Sequence, residues 1–247
     1  MSPPRRGALS GFVDVHTHMA PSGDDGVATI EEGVDLCRTA ARRGTRMLYV
    51  TPHVNAELPL TPARDALVRS NARRLSSLLA GDGVEVRVGY ELDTGIEPAS
   101  PEEMAGYRLD GYPAVLVECP LWDAGAAVTG RIVSAAERVN AAGLRPILAH
   151  PERSPAILAD PDFAGEAVRR GWLLQITAAS LLGRHGESIA GFAWSLVEGG
   201  RAHLVASDGH RANRPPFLDE AAEALAARLG RRRALALLTG SALDGIS

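Results

Sequence analysis

The sequence predicts a single α/β domain in which about seven strand–helix units form a sheet or barrel of parallel strands. Strand and helix signals alternate along almost the whole chain of 247 residues, which is typical of parallel α/β architecture. This length and an apolar content of 45% suit one large domain with a substantial core. Because we find no internal repeat and no low-complexity linker, we divide the chain only into an N-terminal tail, residues 1–10, and one domain, residues 11–247.

Seven short apolar runs have the length and composition expected of buried parallel strands. They cover residues 12–13, 47–50, 84–88, 114–117, 146–149, 172–176 and 203–206. The carboxyl ends of parallel strands collect at one face of a sheet or barrel, and α/β enzymes place their chemistry at that face. Side chains that follow these runs are therefore the first candidates for a functional site.

Helical patterns separate the strand runs. Thr29 and Glu32 form a capping-box pair at the start of the first helix, which carries Cys37 on its apolar stripe and ends near Gly44. Further helices are expected near residues 62–80, 131–142, 163–170 and 187–198, and two helices rich in Ala, Leu and Arg close the chain. Residues 93–112 are rich in Pro, Gly and acidic side chains, so we expect them to be irregular.

The overall charge and composition argue against several classes of partner. A net charge of -4 and a pI of about 6.0 give no bulk attraction to nucleic acid. No apolar run approaches the roughly 20 residues that a membrane span needs. The segment 1–10 lacks the apolar stretch of a signal peptide, so the expected location is the cytoplasm.

The chain contains no lysine, and all 26 basic residues are arginine. This excludes lysine Schiff-base chemistry, a P-loop lysine and a carbamylated lysine that bridges two metals. Any cationic anchor for a substrate is therefore an arginine, which suits bidentate binding of phosphate. The two cysteines, Cys37 and Cys119, are too few for a disulfide framework.

Potential metal ligands recur at the ends of the strand runs along the whole chain. They are His16, His18, His53, Glu91, Glu118, His150, Asp208 and His210, and the loop 24–26 adds a carboxylate, from Asp24 or Asp25. Each of these residues alone has an ordinary explanation, and an Asp-Asp-Gly segment is more often only a turn. Their joint placement instead predicts a polynuclear metal site.

The segment 14–18 suggests how such a site is built. Residues two apart on an extended chain point the same way, so the imidazoles of His16 and His18 can face one metal. Asp14 would then orient one imidazole by accepting a hydrogen bond from it. Later in the chain, Glu118 closes a buried apolar strand, where a carboxylate is costly unless it is paired or bound to a metal.

The chemistry of the donor atoms narrows the choice of metal and reaction. They are nitrogen and oxygen without a thiolate, which favours Mn, Fe, Zn or Mg over copper or a structural zinc site. Several such metals close together suit hydrolysis of a phosphate ester, because they generate hydroxide near neutral pH and stabilise the phosphoryl and leaving oxygens. These residues therefore predict a metal-dependent phosphoesterase.

Seven short motifs together resemble the polymerase and histidinol phosphatase (PHP) superfamily. They are DVHTH (14–18), DDG (24–26), TPH (51–53), AHPER (149–153), TAASLLG (177–183), ASDGH (206–210) and RPP (214–216). More narrowly, the chain resembles the bacterial manganese-dependent protein-tyrosine phosphatases of capsule and exopolysaccharide operons. The resemblance extends over residues 12–220.

The resemblance implies a single-domain distorted (β/α)7 TIM-like barrel, the PHP fold, with three divalent metal ions, manganese being the first choice. One metal would be held by His16, His18, Glu91 and Asp208, a second by Glu91, Glu118 and His150, and a third by Asp25, His53 and His210. Arg153 and Arg214 would bind the phosphoryl group and assist catalysis. The substrate would be a phosphotyrosine protein, and the implied partner is the tail of a bacterial tyrosine kinase that controls polysaccharide export.

Three alternatives stay open. Another PHP phosphoesterase would act on a small molecule such as histidinol phosphate or a nucleotide. A metal-bound regulatory module would have lost its hydrolysis, although the complete ligand set argues against this. An amidohydrolase shares the His-x-His pattern and a late Asp, but it usually uses a bridging lysine, which this chain lacks.

Other sequence features suggest a catalytic mechanism that the sequence does not support, or have no assigned role. Cys37 and Arg43 have the Cys-x5-Arg spacing of cysteine-based phosphatases, but the spacing falls inside an amphipathic helix and includes no glycine, so it cannot form a phosphate loop. No Gly-x-Ser-x-Gly elbow is present for a serine nucleophile. His185 lies outside the strand-end pattern and is not expected to bind metal. Val54 and Asn55, which follow His53, are expected to alter the rim of the pocket.

Overall fold

The structure, a computed structural model, describes residues 9–98, 100–125 and 127–244. Within these ranges the strands are β1 (Phe12–Thr17), β2 (Thr45–Val50), β3 (His53–Val54), β4 (Glu85–Val88), β5 (Glu91–Leu92), β6 (Ala114–Glu118), β7 (Arg145–Ala149), β8 (Leu173–Thr177) and β9 (Leu204–Ala206). The helices are α1 (Ile30–Arg42), α2 (Pro62–Leu78), α3 (Pro101–Gly106), α4 (Ala127–Ala141), α5 (Pro155–Ala159), α6 (Asp162–Arg169), α7 (Ala178–Leu181), α8 (Glu187–Glu198), α9 (Asp219–Leu229) and α10 (Arg231–Leu238), and a 3-10 helix covers Pro151–Arg153.

The strands occupy seven positions around a barrel. One sheet has the order β1-β2-β4 and the other has the order β3-β5-β6-β7-β8-β9, and every pair is parallel. β3 continues the path of β2 after residues 51–52, and β5 continues the path of β4 after residues 89–90. These two interruptions divide the sheet in two and distort the barrel.

The barrel is closed next to the segment that carries the first histidines. A parallel bridge joins Thr17 of β1 to Gly209 beyond β9. The backbone N–H of His18 donates to the Gly209 carbonyl at 2.7 Å, and the N–H of Asp208 donates to the His16 carbonyl at 3.0 Å. The prediction of a distorted (β/α)7 barrel is confirmed, and its seam brings residues 16–18 and 208–210 together.

Two layers of apolar side chains make up the core. Leu116, Ile147 and Leu204 belong to a cluster inside the barrel, whereas Val115 and Leu148 on the alternate faces pack towards the helices. This alternation follows from the two-residue period of a strand. Since Glu118 follows Leu116 on the same face, the barrel interior changes from apolar to polar at its carboxyl end.

Helix α1 begins at the predicted capping box. The Thr29 side chain accepts a hydrogen bond from the Glu32 N–H at 3.2 Å, and the Glu32 carboxylate accepts from the Ala28 N–H at 3.1 Å. The first bond satisfies an N–H group that the helix leaves unpaired at its first turn, and the second ties the residue before the cap to the helix. The helix buries Cys37 completely, as its position on the apolar stripe predicts.

The segment 93–112 is not irregular throughout, so that prediction is wrong for α3. Ser100 caps this helix by accepting a hydrogen bond from the Glu103 N–H at 3.2 Å, and Pro101 occupies the first turn, where its missing N–H costs nothing. The dense Pro, Gly and acidic residues on either side concealed this short start signal. Met104 and Tyr107 attach the segment to the core.

Two predictions concern the ends of the chain and membranes. Residues 1–8 and 245–247 lie outside the described ones, so the division into a tail, 1–10, and a domain, 11–247, stays a prediction. Among the helices of the described residues, none combines the length and the apolar character needed to cross a membrane.

Candidate metal centre

The side chains predicted to bind metal lie together at the carboxyl end of the barrel. Three groups of their ligand atoms each fall within 4.8 Å of one another: His16, His18 and Glu91; His53, Glu91 and Glu118; and His18, Asp25, His53 and His210. His53 thus joins Glu91 and Glu118 in the second group, where the family resemblance placed His150. His150 lies beside this second group, since its Nε2 contacts Glu91 Oε1 at 3.0 Å.

Glu91 is the centre of the cluster and is completely buried. Its Oε2 lies 3.0 Å from His16 Nε2 and 3.0 Å from His53 Nδ1. Burial alone would favour the protonated acid, but the surrounding histidines, His16 first, hold the pKa of Glu91 well below its usual range. A carboxylate in contact with several imidazoles can bridge two metal ions.

Glu118 provides a second carboxylate beside Glu91. It ends β6 with only 6% of the residue exposed, and its Oε2 is 3.8 Å from His53 Nδ1. Burial and the neighbouring carboxylates of Glu91 and Asp93 raise the pKa of Glu118 to about 8. Two carboxylates held this close repel each other unless a cation lies between them, so their arrangement suits a divalent metal.

The outer part of the centre is built on Asp25, whose side chain is 64% exposed. Its Oδ1 lies 3.1 Å from His210 Nε2 and 3.5 Å from His53 Nε2. Gly26 is required beside it, because a Cβ at this position would collide with the His18 carbonyl oxygen. The Asp-Asp-Gly segment is therefore a turn that also places a carboxylate over two histidines.

The tautomers of the two histidines in β1 provide a test of whether the residues fit a metal. His18 Nδ1 bonds to Asp24 Oδ2 at 2.8 Å and His16 Nδ1 bonds to Gln175 Oε1 at 2.9 Å, so both Nδ1 atoms act as donors. The two Nε2 atoms then face each other at 3.3 Å. Two imidazole lone pairs this close repel each other unless a proton or a metal ion lies between them. The donor set therefore fits a divalent metal.

His150 and Asp208 adopt a backbone conformation that is rare for residues other than glycine. Their φ angles are 38° and 52°, and among the described residues they are the only non-glycine positions with positive φ. His150 directly follows β7, and Asp208 is the second residue after the end of β9. Strain of this kind, of the order of 1 kcal/mol, is concentrated at functional sites because it aims side chains that a regular strand would misdirect.

Arg153 and Arg214 converge on a candidate metal ligand. Both guanidinium groups contact Asp208 Oδ2, at 2.5 Å and 2.7 Å. The other oxygen, Oδ1, lies 3.5 Å from His16 Nε2. Although Asp208 is buried, the charges of His16, His150 and Arg214 lower its pKa. Asp208 thus joins the arginines to the histidine cluster.

Three polar residues beside the cluster were predicted wrongly or missed. Asp14 does not orient an imidazole: its Oδ1 accepts hydrogen bonds from the backbone N–H groups of Ser207 and, at 3.5 Å, His16. The imidazole of His16 is instead held by Gln175, which sequence reasoning missed because an isolated glutamine in a strand has no local signal. The role expected of Asp14 belongs to Asp24, which binds His18.

A cavity of about 650 Å³ leads to the cluster from the solvent. The loop 55–58 and the residues Leu121 and Trp122 form its rim, and His53, His150 and His210 form part of its floor. Asn55 lies on this rim, as expected. Trp122 is 79% exposed, which is unusual for a large aromatic side chain.

The two cysteines are buried and lie apart from any phosphate-binding loop. Cys37 is in α1 and Cys119 follows β6. Burial raises the pKa of both thiols, and the carboxylates of Glu152 and Glu118 raise that of Cys119 further. Neither residue therefore provides a thiolate near neutral pH, and the Cys-x5-Arg spacing has no chemical role.

Comparisons with known proteins agree with this geometry. The chain is 30% identical over 210 residues to the putative tyrosine-protein phosphatase CapC of Staphylococcus aureus, covering 84% of this chain and 80% of the relative. It is 29% identical over 206 residues to the tyrosine-protein phosphatase YwqE of Bacillus subtilis, with 81% and 77% coverage.

Solved structures show the same relationship. Crystal structures of YwqE from Bacillus subtilis and CpsB from Streptococcus pneumoniae are described as those of unique metal-dependent tyrosine phosphatases. One chain from them superposes on this chain with a TM-score of 0.77 at 28% identity, and the match covers 91% of this chain and 90% of that chain. The phosphotriesterase homology protein of Escherichia coli, with a TM-score of 0.58 at 11% identity and complete coverage of both chains, shares the fold.

The family assignment rests on almost the whole chain. A family model described as capsular polysaccharide synthesis, CpsB/CapC, matches residues 12–245. The match includes every residue of the metal cluster and both arginines. The protein therefore belongs to the CpsB/CapC family of capsular polysaccharide synthesis.

Proposed function

We propose that this protein is a metal-dependent protein-tyrosine phosphatase that hydrolyses phosphotyrosine on a protein of capsular or exopolysaccharide synthesis. The observation that carries the proposal is the convergence of imidazole and carboxylate groups around the buried Glu91, beside two arginines. The relative YwqE is named a tyrosine-protein phosphatase, and the similar solved structures of YwqE and CpsB are described as metal-dependent tyrosine phosphatases.

The proposed centre holds three divalent metal ions, with manganese as the first choice and Fe, Zn or Mg as alternatives. His16, His18, Glu91 and Asp208 would hold one ion, Glu91, Glu118 and His150 the second, and Asp25, His53 and His210 the third. Such ions lower the pKa of water and neutralise charge on phosphoryl oxygens. Since the two oxygens of Glu91 contact His16, His53 and His150, one from each proposed ligand set, it is the natural bridging ligand.

The arginines are proposed to bind the phosphoryl group. Arg153 and Arg214 each use one nitrogen on Asp208 Oδ2, so their guanidinium planes are held beside the metal cluster. The remaining N–H groups can bind two phosphoryl oxygens in the forked geometry that suits arginine. The charge on the phosphoryl oxygens is redistributed while the phosphoryl group is transferred. Arginine contacts to these oxygens therefore stabilise the transition state as well as the bound substrate.

The cavity supports an aromatic phosphoester on a protein chain as the substrate. The metal cluster lies at the floor of a cavity of about 650 Å³, and Trp122 is exposed at its rim. An aromatic ring between the floor and the rim can stack on the indole, which a short serine side chain cannot do. We therefore assign Trp122 a part in selecting phosphotyrosine over phosphoserine.

The proposed partner is the tyrosine-rich tail of a bacterial tyrosine kinase that controls polysaccharide export. This part of the proposal rests on membership of the CpsB/CapC family. A small-molecule phosphoesterase and a regulatory module without turnover are the two other candidates, and the open cavity with an aromatic rim favours a protein substrate over both.

A substrate panel separates these candidates. Purified protein is stripped with EDTA, reloaded with Mn²⁺, and assayed with a phosphotyrosine peptide, a phosphoserine peptide, histidinol phosphate and a nucleotide. We expect hydrolysis to be abolished by EDTA, restored by Mn²⁺, and fastest with the phosphotyrosine peptide. Activity that survives complete chelation contradicts the metal mechanism, and faster turnover of histidinol phosphate or the nucleotide identifies a small-molecule enzyme.

Metal analysis of variants tests the ligand assignment separately. His16→Ala and Asp208→Ala should lose metal, as measured by elemental analysis. His203→Ala is the matched control, since His203 lies before β9 and its Nδ1 accepts a hydrogen bond from the Leu174 N–H, far from the cluster in the barrel. Full metal content in both site variants would contradict the proposed centre.

A further inference from the structure

A second cavity, of about 310 Å³, lies beside the metal centre, and of its lining only Arg153, Arg214 and Asp208 belong to the function proposed so far. It opens beyond the ends of β8 and β9 and shares Asp208 and Arg214 with the first cavity. Its lining also includes Arg153, Arg184 and His185. We call it the arginine pocket.

The two cavities differ in charge. The metal cavity is lined by six carboxylates but by one arginine: the acids are Asp24, Asp25, Glu57, Asp93, Glu118 and Asp208. The arginine pocket is lined by three arginines and by Asp208 as its one carboxylate. The first cavity therefore attracts cations, whereas the second attracts anions whether or not metal is bound.

The arginines of the pocket keep donors available. Arg153 and Arg214 share one oxygen of Asp208, and Arg184 forms an ion pair with Glu220 through a single nitrogen at 2.6 Å. Arg184 is half exposed, with 49% of its side chain accessible, so it can turn towards a ligand. The one further hydrogen bond of these guanidinium groups among the described residues is a long one, from Arg214 to the Asp208 carbonyl at 3.4 Å, and an arginine has five N–H donors. Since the proposed function uses Arg153 and Arg214 on the reacting phosphoryl group, Arg184 is the main cation left for a second anion.

The hydroxyl of Thr177 is buried in the wall of the pocket without a hydrogen-bond partner among the described residues. The residue is 1% exposed. A buried hydroxyl of this kind is costly unless something binds to it. The residue lines the same pocket as the three arginines, although its hydroxyl oxygen is covered in this conformation.

His185 is fixed by a chain of hydrogen bonds. Ser180 Oγ donates to Glu152 Oε1 at 2.7 Å, so it accepts from His185 Nδ1 at 3.0 Å. The other ring nitrogen, Nε2, then carries a lone pair, so it can accept a hydrogen bond from the P–OH group of a monohydrogen phosphate. Burial first, and then the charges of Arg153 and Arg214, lower the pKa of His185 to about 4, so its ring is neutral near pH 7.

We propose that the arginine pocket binds a second anionic group, a phosphate or a carboxylate, carried on the same peptide as the phosphotyrosine that occupies the metal cavity. The inference rests on the proposed function, since it assigns the second group to a neighbouring acidic or phosphorylated residue of that substrate. Asp208 and Arg214 line both cavities, so the cavities are adjacent. One peptide can therefore place its phosphotyrosine in the first cavity and a nearby anionic group in the second. The same chemistry would bind free inorganic phosphate.

Binding to metal-free protein tests the pocket without reference to catalysis. The probes are inorganic phosphate and pyrophosphate, added to EDTA-treated protein in a calorimeter. We expect Arg184→Ala to weaken binding about fivefold to twentyfold, the size of one charge-assisted hydrogen bond. The matched control is Arg228→Ala: Arg228 is also a half-exposed arginine, paired with Glu198 at 3.5 Å, but it lies outside the pocket.

A pair of peptides identifies the source of the anion. One phosphotyrosine peptide has neutral neighbours, and the other has a second phosphotyrosine or glutamates beside the reacting residue. Metal-loaded protein should have a lower KM for the acidic peptide than for the neutral one. Arg184→Ala should reduce the ratio of the neutral-peptide KM to the acidic-peptide KM by about tenfold, whereas Arg228→Ala should leave this ratio unchanged.

The outcomes of these two experiments are distinct. Weaker anion binding together with a reduced KM ratio supports the pocket as a subsite for the peptide. Weaker binding with an unchanged KM ratio supports the pocket but identifies free phosphate as its ligand. Binding that Arg184→Ala leaves unchanged overturns the proposal. Because the first experiment uses metal-free protein, its failure is separate from a failure of the phosphatase assignment.

Discussion

Gln175 Oε1 lies 2.9 Å from His16 Nδ1, joining two side chains that are 159 positions apart in the sequence. The amide oxygen can only accept, so the bond fixes the His16 proton on Nδ1 and directs Nε2 towards Glu91 and Asp208. Both residues are completely buried, which prevents water from replacing the bond. Gln175 is therefore a positioning residue for a proposed metal ligand.

Replacing Gln175 should weaken metal binding without removing a ligand. We expect Gln175→Ala to reduce metal affinity by about 10- to 100-fold, the usual effect of losing a group that orients a liganding histidine. Titration of the EDTA-treated protein with Mn²⁺ measures the change. Gln175→Glu keeps an acceptor at the same place and should recover most of the affinity. Equal affinity in wild type and Gln175→Ala would show that the bond has no such role.

Removing one of the two arginines should damage catalysis more than metal binding. We expect Arg153→Ala and Arg214→Ala to keep full metal content, because Asp208 retains the other guanidinium in each variant. The value of kcat/KM should fall by about 10- to 1000-fold, or roughly 1.4–4 kcal/mol.

Elemental analysis measures the metal content of the two variants, and steady-state kinetics with a phosphotyrosine peptide measures kcat/KM. Arg228→Ala serves again as the control. Wild-type kcat/KM in both variants would refute the assignment of these arginines to the phosphoryl group. Loss of metal in either variant would instead assign that arginine to the support of Asp208.

The cysteines should be dispensable. Cys37 and Cys119 are buried and their thiol pKa values are raised, so thiolate attack on phosphorus is not available to them. Cys37→Ser and Cys119→Ser should retain turnover within a few-fold, provided that circular dichroism shows folded protein. Iodoacetamide should react slowly with the native wild type. A loss of about 1000-fold in folded Cys37→Ser, roughly 4 kcal/mol, would restore the cysteine mechanism.

Trp122 should affect the choice of substrate. Its indole is exposed at the rim of the metal cavity, and a stacked aromatic pair contributes about 0.5–1.5 kcal/mol. We expect Trp122→Ala to raise KM for a phosphotyrosine peptide about threefold to tenfold, and Trp122→Phe to restore most of the loss. The KM for a phosphoserine peptide should not change. A parallel rise for both peptides would assign Trp122 to general peptide binding instead.

Binding can also be followed by tryptophan fluorescence, which needs no turnover. The chain has three tryptophans, of which Trp172 is buried and Trp194 packs under Arg228 at 4.2 Å. Addition of phosphotyrosine peptide should quench the emission of wild-type protein but not that of Trp122→Phe. Quenching that persists in this variant would place the peptide away from the rim.

The sequence by itself determined the order of strands and helices and the types of donor atom at the site. Both are encoded locally: apolar runs mark the strands, Thr29 and Glu32 mark a helix start, and His or Glu residues appear directly after the runs. Because strands in a parallel barrel end at one face, residues at the ends of strands can be predicted to meet without knowing their contacts. The family resemblance extended this to the closed barrel.

Only the tertiary structure decided how these groups are paired. It showed that Gln175 and Asp24, not Asp14, hold the imidazoles of β1, and that both arginines meet on Asp208. It also placed Arg184 and His185 in a second pocket. The reason is that such contacts join residues far apart in the chain, and a bulge in β1 between Asp14 and Thr17 changes which side chains face the barrel interior. A regular two-residue period cannot predict that change.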